Sequence, residues 1–231
     1  MITDGRLHAE MVHEYHEKGK IDDAILKKFY EKLPILGKAI REVEDASKLS
    51  YPKIIFDPVL SIMRFNASTS GTVIYASTKI HRLDSTYQLC VSISLPFLLY
   101  STEEVLKACL VHELLHHIYT TIVLSRKSFM SLASQRLDAP EVFLAFDETH
   151  TVDPNEWIYD QGLIDLMNKV FRPMIEDRDL ISEIKECWMG KGFPVRYLTS
   201  DESKVRVPVT EVSKIALDPE IIARAKNKRL G

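Results

Sequence analysis

His112, Glu113 and His116 are the residues of this chain whose types and spacing could do chemistry together, in the run His112-Glu113-Leu114-Leu115-His116. Residues four apart project from a helix about 40° from one another, so both imidazoles can offer a nitrogen to one metal ion. Glu113 sits next to that pair without pointing at the ion. A carboxylate so placed can take the proton of an activated water, as the general base of a metal-assisted hydrolysis must. Two histidines do not complete a catalytic zinc site, which takes three protein ligands and keeps a fourth position open.

Downstream, Asp153-Pro154-Asn155-Glu156-Trp157-Ile158-Tyr159-Asp160 has the start of a second helix. Asp153 is the cap, proline holds the first helical position, and Leu163, Leu166, Met167, Val170 and Phe171 continue an apolar stripe. On one helix, Glu156 and Asp160 lie a turn apart on one face. With both motifs in hand, the chain resembles the gluzincin metallopeptidases, the thermolysin-like clan. The resemblance implies one Zn2+ ion held by His112, His116 and Glu156, Glu113 as base, and Asp160 orienting a histidine ligand. It also implies a peptide or protein substrate, cut by an endopeptidase rather than an exopeptidase.

Two departures from that family stand out. Thirty-nine residues, 117 to 155, separate His116 from Glu156, more than in thermolysin, so an extra helix or lid must fill the gap, and residues 126–137 have the composition for one. All eight histidines lie at or before residue 150. The downstream histidine that helps stabilise the oxyanion in thermolysin-like enzymes therefore has no counterpart, and Tyr159, Arg196 and Tyr197 are the donors that could replace it.

His150 is a rival third ligand. It would make a three-histidine site, as in the SprT-like proteases that cut proteins crosslinked to DNA, which share the order of a strand pair leading into the motif helix. Against that reading, the chain lacks an obvious basic or cysteine-rich DNA-binding tail. A reading of another class is a binding or scaffold protein that keeps zinc as a structural element with little turnover. A fourth protein ligand such as His150 would close a structural site, whereas a catalytic one holds water. His117 reads as a polar residue at the edge of the motif helix. His13-Glu14-Tyr15-His16 has three-residue spacing and no apolar setting, and reads as a solvated face.

The elements that must position these groups are legible in the hydrophobic pattern. Ser101-Thr102-Glu103-Glu104 is a capping box ahead of Val105, Leu106, Ala108, Cys109, Val111, Leu114, Leu115, Ile118, Tyr119 and Ile122, so the motif lies on a buried helix. Residues 5–48 read as helices over 7–17, 22–33 and 34–46, the last starting at a proline. Strands follow over 53–56, 61–65, 71–76 and 88–95, with a turn at 66–71. In the last strand Leu89, Val91, Ile93 and Leu95 alternate with Cys90, Ser92 and Ser94. Such a strand either pairs an extended peptide by a free edge or lies inside the sheet. A helix over 177–192, strands over 195–198 and 204–209, and a helix capped by Asp218 complete the chain.

The predicted fold is α+β: a helical N-terminal region (1–50), a zincin-like catalytic domain (51–192) and a C-terminal strand and helix segment (193–231). The domain has a small, mostly antiparallel sheet, the active-site helix and a second, ligand-bearing helix. The last segment is expected to cover the cleft, its strand 204–209 adding near 88–95. A chain of 231 residues with a net charge of -3 suits one well-packed core and no general affinity for nucleic acid. The basic residues Arg224, Lys226, Lys228 and Arg229 read as a solvated helix end. Three widely spaced cysteines, with no apolar run of signal or membrane-spanning length, predict a cytoplasmic protein without a membrane partner.

Overall fold

The structure is a computed structural model that describes residues 4–64, 71–83, 85–126, 143–146, 149–171, 178–203 and 205–228. It opens with strand β1 (Leu7–His8) and helix α1 (Glu10–Glu17), where the sequence predicts one helix. Helix α2 (Asp23–Ser47) then runs as a single rod through Pro34, correcting the expectation of two helices. Proline costs a helix one hydrogen bond and crowds the preceding turn. Pro34 is exposed, so water can serve the carbonyl left unbonded, while Ile25, Phe29, Leu36, Ala39, Ile40 and Val43 form a buried stripe that carries the helix past it.

Strands β2 (Ile54–Asp57), β3 (Leu60–Arg64), β4 (Gly71–Ile74), β5 (Ala76–Leu83) and β6 (Thr86–Ser94) follow. They lead through a short helix α3 (Leu95–Tyr100) into α4 (Glu103–Leu124), which bears the histidine motif. Thr102 caps α4 by accepting a hydrogen bond from the Val105 amide at 3.3 Å. Beyond it come β7 (Phe143–Phe146), α5 (Pro154–Trp157), α6 (Gln161–Val170) and α7 (Arg178–Ile184), the last prolonged by a π-helical turn over Lys185–Met189. The chain ends with β8 (Val195–Thr199), α8 (Ser200–Ser203), β9 (Val205–Pro208), a 3-10 turn over Val209–Lys214, β10 (Ile215–Ala216) and α9 (Pro219–Lys228). Of the helix expected at 126–137, all but Arg126 lies outside the described residues.

The largest sheet is mostly parallel, which corrects the antiparallel expectation. Its order is β1-β2-β6-β10, all parallel, with β5 antiparallel on the other side of β6. The chain leaves β2 for the excursion β3 to β5 and returns in β6 running the same way as β2, so only the β5–β6 hairpin supplies an antiparallel pair. A second sheet has the order β4-β3-β8, and β7 pairs with β9.

β6 is therefore interior, and among the described residues β5 pairs with β6 and has both α4 and β9 against it. Cys90, Ser92 and Ser94 are buried, at 0%, 5% and 5% exposure. The strand that adds to β6 from the C-terminal segment is β10, at Tyr87 and Gln88, not residues 204–209. One apolar core runs from Ala9 to Ile221 and includes residues from all three stretches of the chain, with α4 at its centre. Among the described residues no helix is long and apolar enough to cross a membrane.

Candidate metal centre

Because α4 is apolar on nearly every side, it is packed all round, and its polar residues are held rather than solvated. His112 and His116 point their Nε2 atoms at one another across 3.0 Å. Two nitrogens of one tetrahedral zinc shell, each about 2.0–2.1 Å from the metal, lie about 3.3 Å apart, so the pair already has close to the spacing of two zinc ligands. The tautomer of His116 follows from its other nitrogen. Nδ1 lies 3.0 Å from the His150 carbonyl oxygen, which can only accept, so Nδ1 carries the proton and Nε2 the lone pair.

His112 is fixed differently. Its ring stacks on Phe171, at the end of α6, with centroids 4.6 Å apart and planes 12° from parallel. Helix α6 packs along α4 and brings that ring to the motif. Glu113 is buried on the side of β5, where the Thr78 hydroxyl lies 3.1 Å from Oε2 and 3.2 Å from the Glu113 carbonyl. His117 is also buried and faces away; desolvation pushes its pKa down to about 4, against the opposing pull of the Asp218 charge. Thr78 and Phe171 carry no motif, and only the fold reveals them as neighbours of the site.

The second motif is placed elsewhere. The expected helix through Glu156 and Asp160 breaks after Trp157: Ile158 is extended, with φ -115° and ψ 122°, and a new helix starts after Asp160. The two carboxylates therefore share no helical face. Glu156 is exposed beside Lys228, whose ammonium lies 4.0 Å from Oε2 and bonds the Glu156 carbonyl. Asp160 is the cap of α6, accepting from the amides of Gly162 at 2.8 Å and Leu163 at 3.2 Å. It lines an open groove with Glu42 and Lys107, toward the start of α4.

Among the described residues no three histidine, cysteine or carboxylate side chains gather in a group that could hold a metal ion. The structure thus brings His112 and His116 together and does not bring Glu156, Asp160 or the imidazole of His150 to them. The His150 ring packs instead on Tyr119, at 5.5 Å. The candidate oxyanion donors are also engaged elsewhere. The Tyr159 hydroxyl accepts from Arg224, Arg196 bonds Asp57 at 3.2 Å and Ser61 at 2.8 Å, and the Tyr197 ring lies under Arg64 at 3.9 Å.

For zinc, the histidine pair has the right donor type and spacing for two positions of a shell, and His116 has the right tautomer. Comparison with protein-family models, curated proteins and solved structures returned no match, so the roles of these residues rest on their geometry and chemistry.

Proposed function

We propose that this chain is a zinc-dependent peptide hydrolase in which His112 and His116 are metal ligands and Glu113 is the general base. The observation that carries the reading is the convergence of the two Nε2 atoms on a buried helix, with His116 Nδ1 committed to a carbonyl. When bound, zinc supplies a Lewis acid for the substrate carbonyl and acidifies a water. Glu113 takes the proton of the attacking water and returns it to the leaving amine. Thr78 holds Oε2 of that carboxylate, and the surrounding core excludes bulk water, which strengthens each charge interaction at the site.

The three-histidine reading has one observation in its favour. His150 is the sequence candidate whose backbone reaches the pair, at His116 Nδ1. Glu156, in contrast, is tied to Lys228. Zinc titration against a competing chelator tests both readings. The parent should bind one zinc ion tightly, His150→Ala should weaken it, and a parent that binds no zinc would end the proposal. If His150→Ala binds zinc as the parent does, His150 is not a ligand and the three-histidine reading fails.

A further inference from the structure

The face of the large sheet turned away from α4 carries polar side chains that the proposed hydrolysis does not use. Thr78 marks the α4 face through its bond to Glu113, so its neighbours Lys79 and, two residues on, His81 lie on the other. Register places Ser94 and Asp57 opposite one another on that same face, as partners across β6 and β2, and His8 two strands from Ser92. Arg196 reaches in from β8 to bond Asp57.

These groups are poorly satisfied. Nε2 of His8, Nε2 of His81 and Oγ of Ser94 are buried with no hydrogen-bond partner among the described residues. A buried polar atom without a partner is costly, and three on one face call for something to bond. Lys79 is half-buried, and desolvation holds its ammonium below the usual lysine range, with the Asp57 charge opposing. His81 lies within electrostatic reach of Lys79, Asp57 and His8, and burial lowers its pKa too. Lys79 and Arg196 face Asp57, and the Ser94 hydroxyl and a neutral His81 ring can each donate. His8 Nδ1 faces the exposed Glu10 carboxylate at 3.4 Å.

We propose that this face binds a small oxyanion, the carboxylate or phosphate group of a ligand, through Lys79 and His81. An oxyanion supplies what the cluster lacks: a negative charge for a desolvated ammonium and acceptors for several donors, in charge-assisted bonds. The face shares no residue with the histidine pair, so full-length, metal-stripped protein serves for the test.

Inorganic phosphate and, separately, acetate are titrated into that protein by calorimetry. One of them should bind with one-to-one stoichiometry, and which one does so identifies the oxyanion. Lys79→Met should weaken binding about tenfold or more, as loss of one charge-assisted bond implies, and His81→Phe should weaken it as well, while Lys79→Arg retains it. Lys79→Met removes a desolvated charge and should not harm folding; near-ultraviolet circular dichroism checks that, and His81→Phe is a second probe. Failure of both anions to bind the parent, or binding by folded Lys79→Met and His81→Phe at parental strength, would overturn the proposal.

Discussion

The histidine end of α4 and the corner where α5 meets α6 carry the two motifs that resemble one family's active site, yet they are different kinds of place. On α4 Glu113 and His116 are buried and His112 half-buried, the two Nε2 atoms meet, and neighbouring elements fix the rings. At the corner the carboxylates are exposed, one facing Lys228 and the other capping a helix. Spacing in a sequence becomes spacing in space only while the helix continues. It continues through residues 112–116 and stops at Ile158. One motif is therefore gathered where the proposed chemistry needs it, and the other serves local architecture.

The largest expected effect that separates the two regions is on metal binding. His112→Ala and His116→Ala should each lower zinc affinity by more than about 100-fold, beyond the 10–100-fold typical of groups that merely orient a ligand. Chelator competition measures it, and parental affinity in either variant would move the metal site off α4.

Next comes the C-terminal segment. Deleting everything after Gly192 removes Val212, Ile215 and Ile221, all buried, as well as Arg224 and Lys228 at the corner. At about 1.5–3 kcal/mol for each aliphatic side chain, the loss consumes most of an ordinary domain's stability of about 5–15 kcal/mol. The truncated chain should lose its cooperative thermal transition in circular dichroism. A folded truncate with faster peptide cleavage would restore the expectation that this segment covers the cleft.

At the corner itself, Asp160→Ala should cost about 1 kcal/mol, as loss of a helix cap does, and leave zinc affinity unchanged. A lower melting temperature with unaltered zinc binding is the expected pair of results; a 10- to 100-fold drop in zinc affinity would join Asp160 to the metal site. Glu156→Ala is the smallest change. An exposed group beside a lysine should shift stability by no more than about 0.5 kcal/mol and zinc affinity not at all.

What was legible in the sequence follows the same division. The capping box Ser101–Glu104 and the apolar run after it mark α4, although the residue that caps it is Thr102, one position after Ser101. β5 was largely missed: Ala76–Leu83 is mostly polar, since one face packs on α4 through Thr78 and Ile80 while the other holds Lys79 and His81. The sheet was read as antiparallel because only the β5–β6 hairpin is local, whereas the parallel pairs join strands distant in sequence. Pro34 and Ile158 mislead in opposite directions. At the first, packing carries a helix through a breaker; at the second, the Tyr159 amide bonds the Ala46 carbonyl and Asp160 caps a fresh helix, and both interrupt a pattern that looks continuous. Thr78 and Phe171 touch the motif only through tertiary structure, which no spacing along the chain encodes.

The most direct measurement is peptide cleavage by Glu113→Gln set beside its zinc content. The amide keeps the size of the side chain and cannot accept the water's proton, so general-base catalysis worth about 10²–10⁴-fold should vanish. The expected result is one zinc per chain in parent and variant alike, casein or a peptide library cut by the parent, and no cleavage by the variant above that loss. Equal cleavage by Glu113→Gln, or a zinc-loaded parent that cuts nothing, would contradict the assignment of this site as a hydrolase.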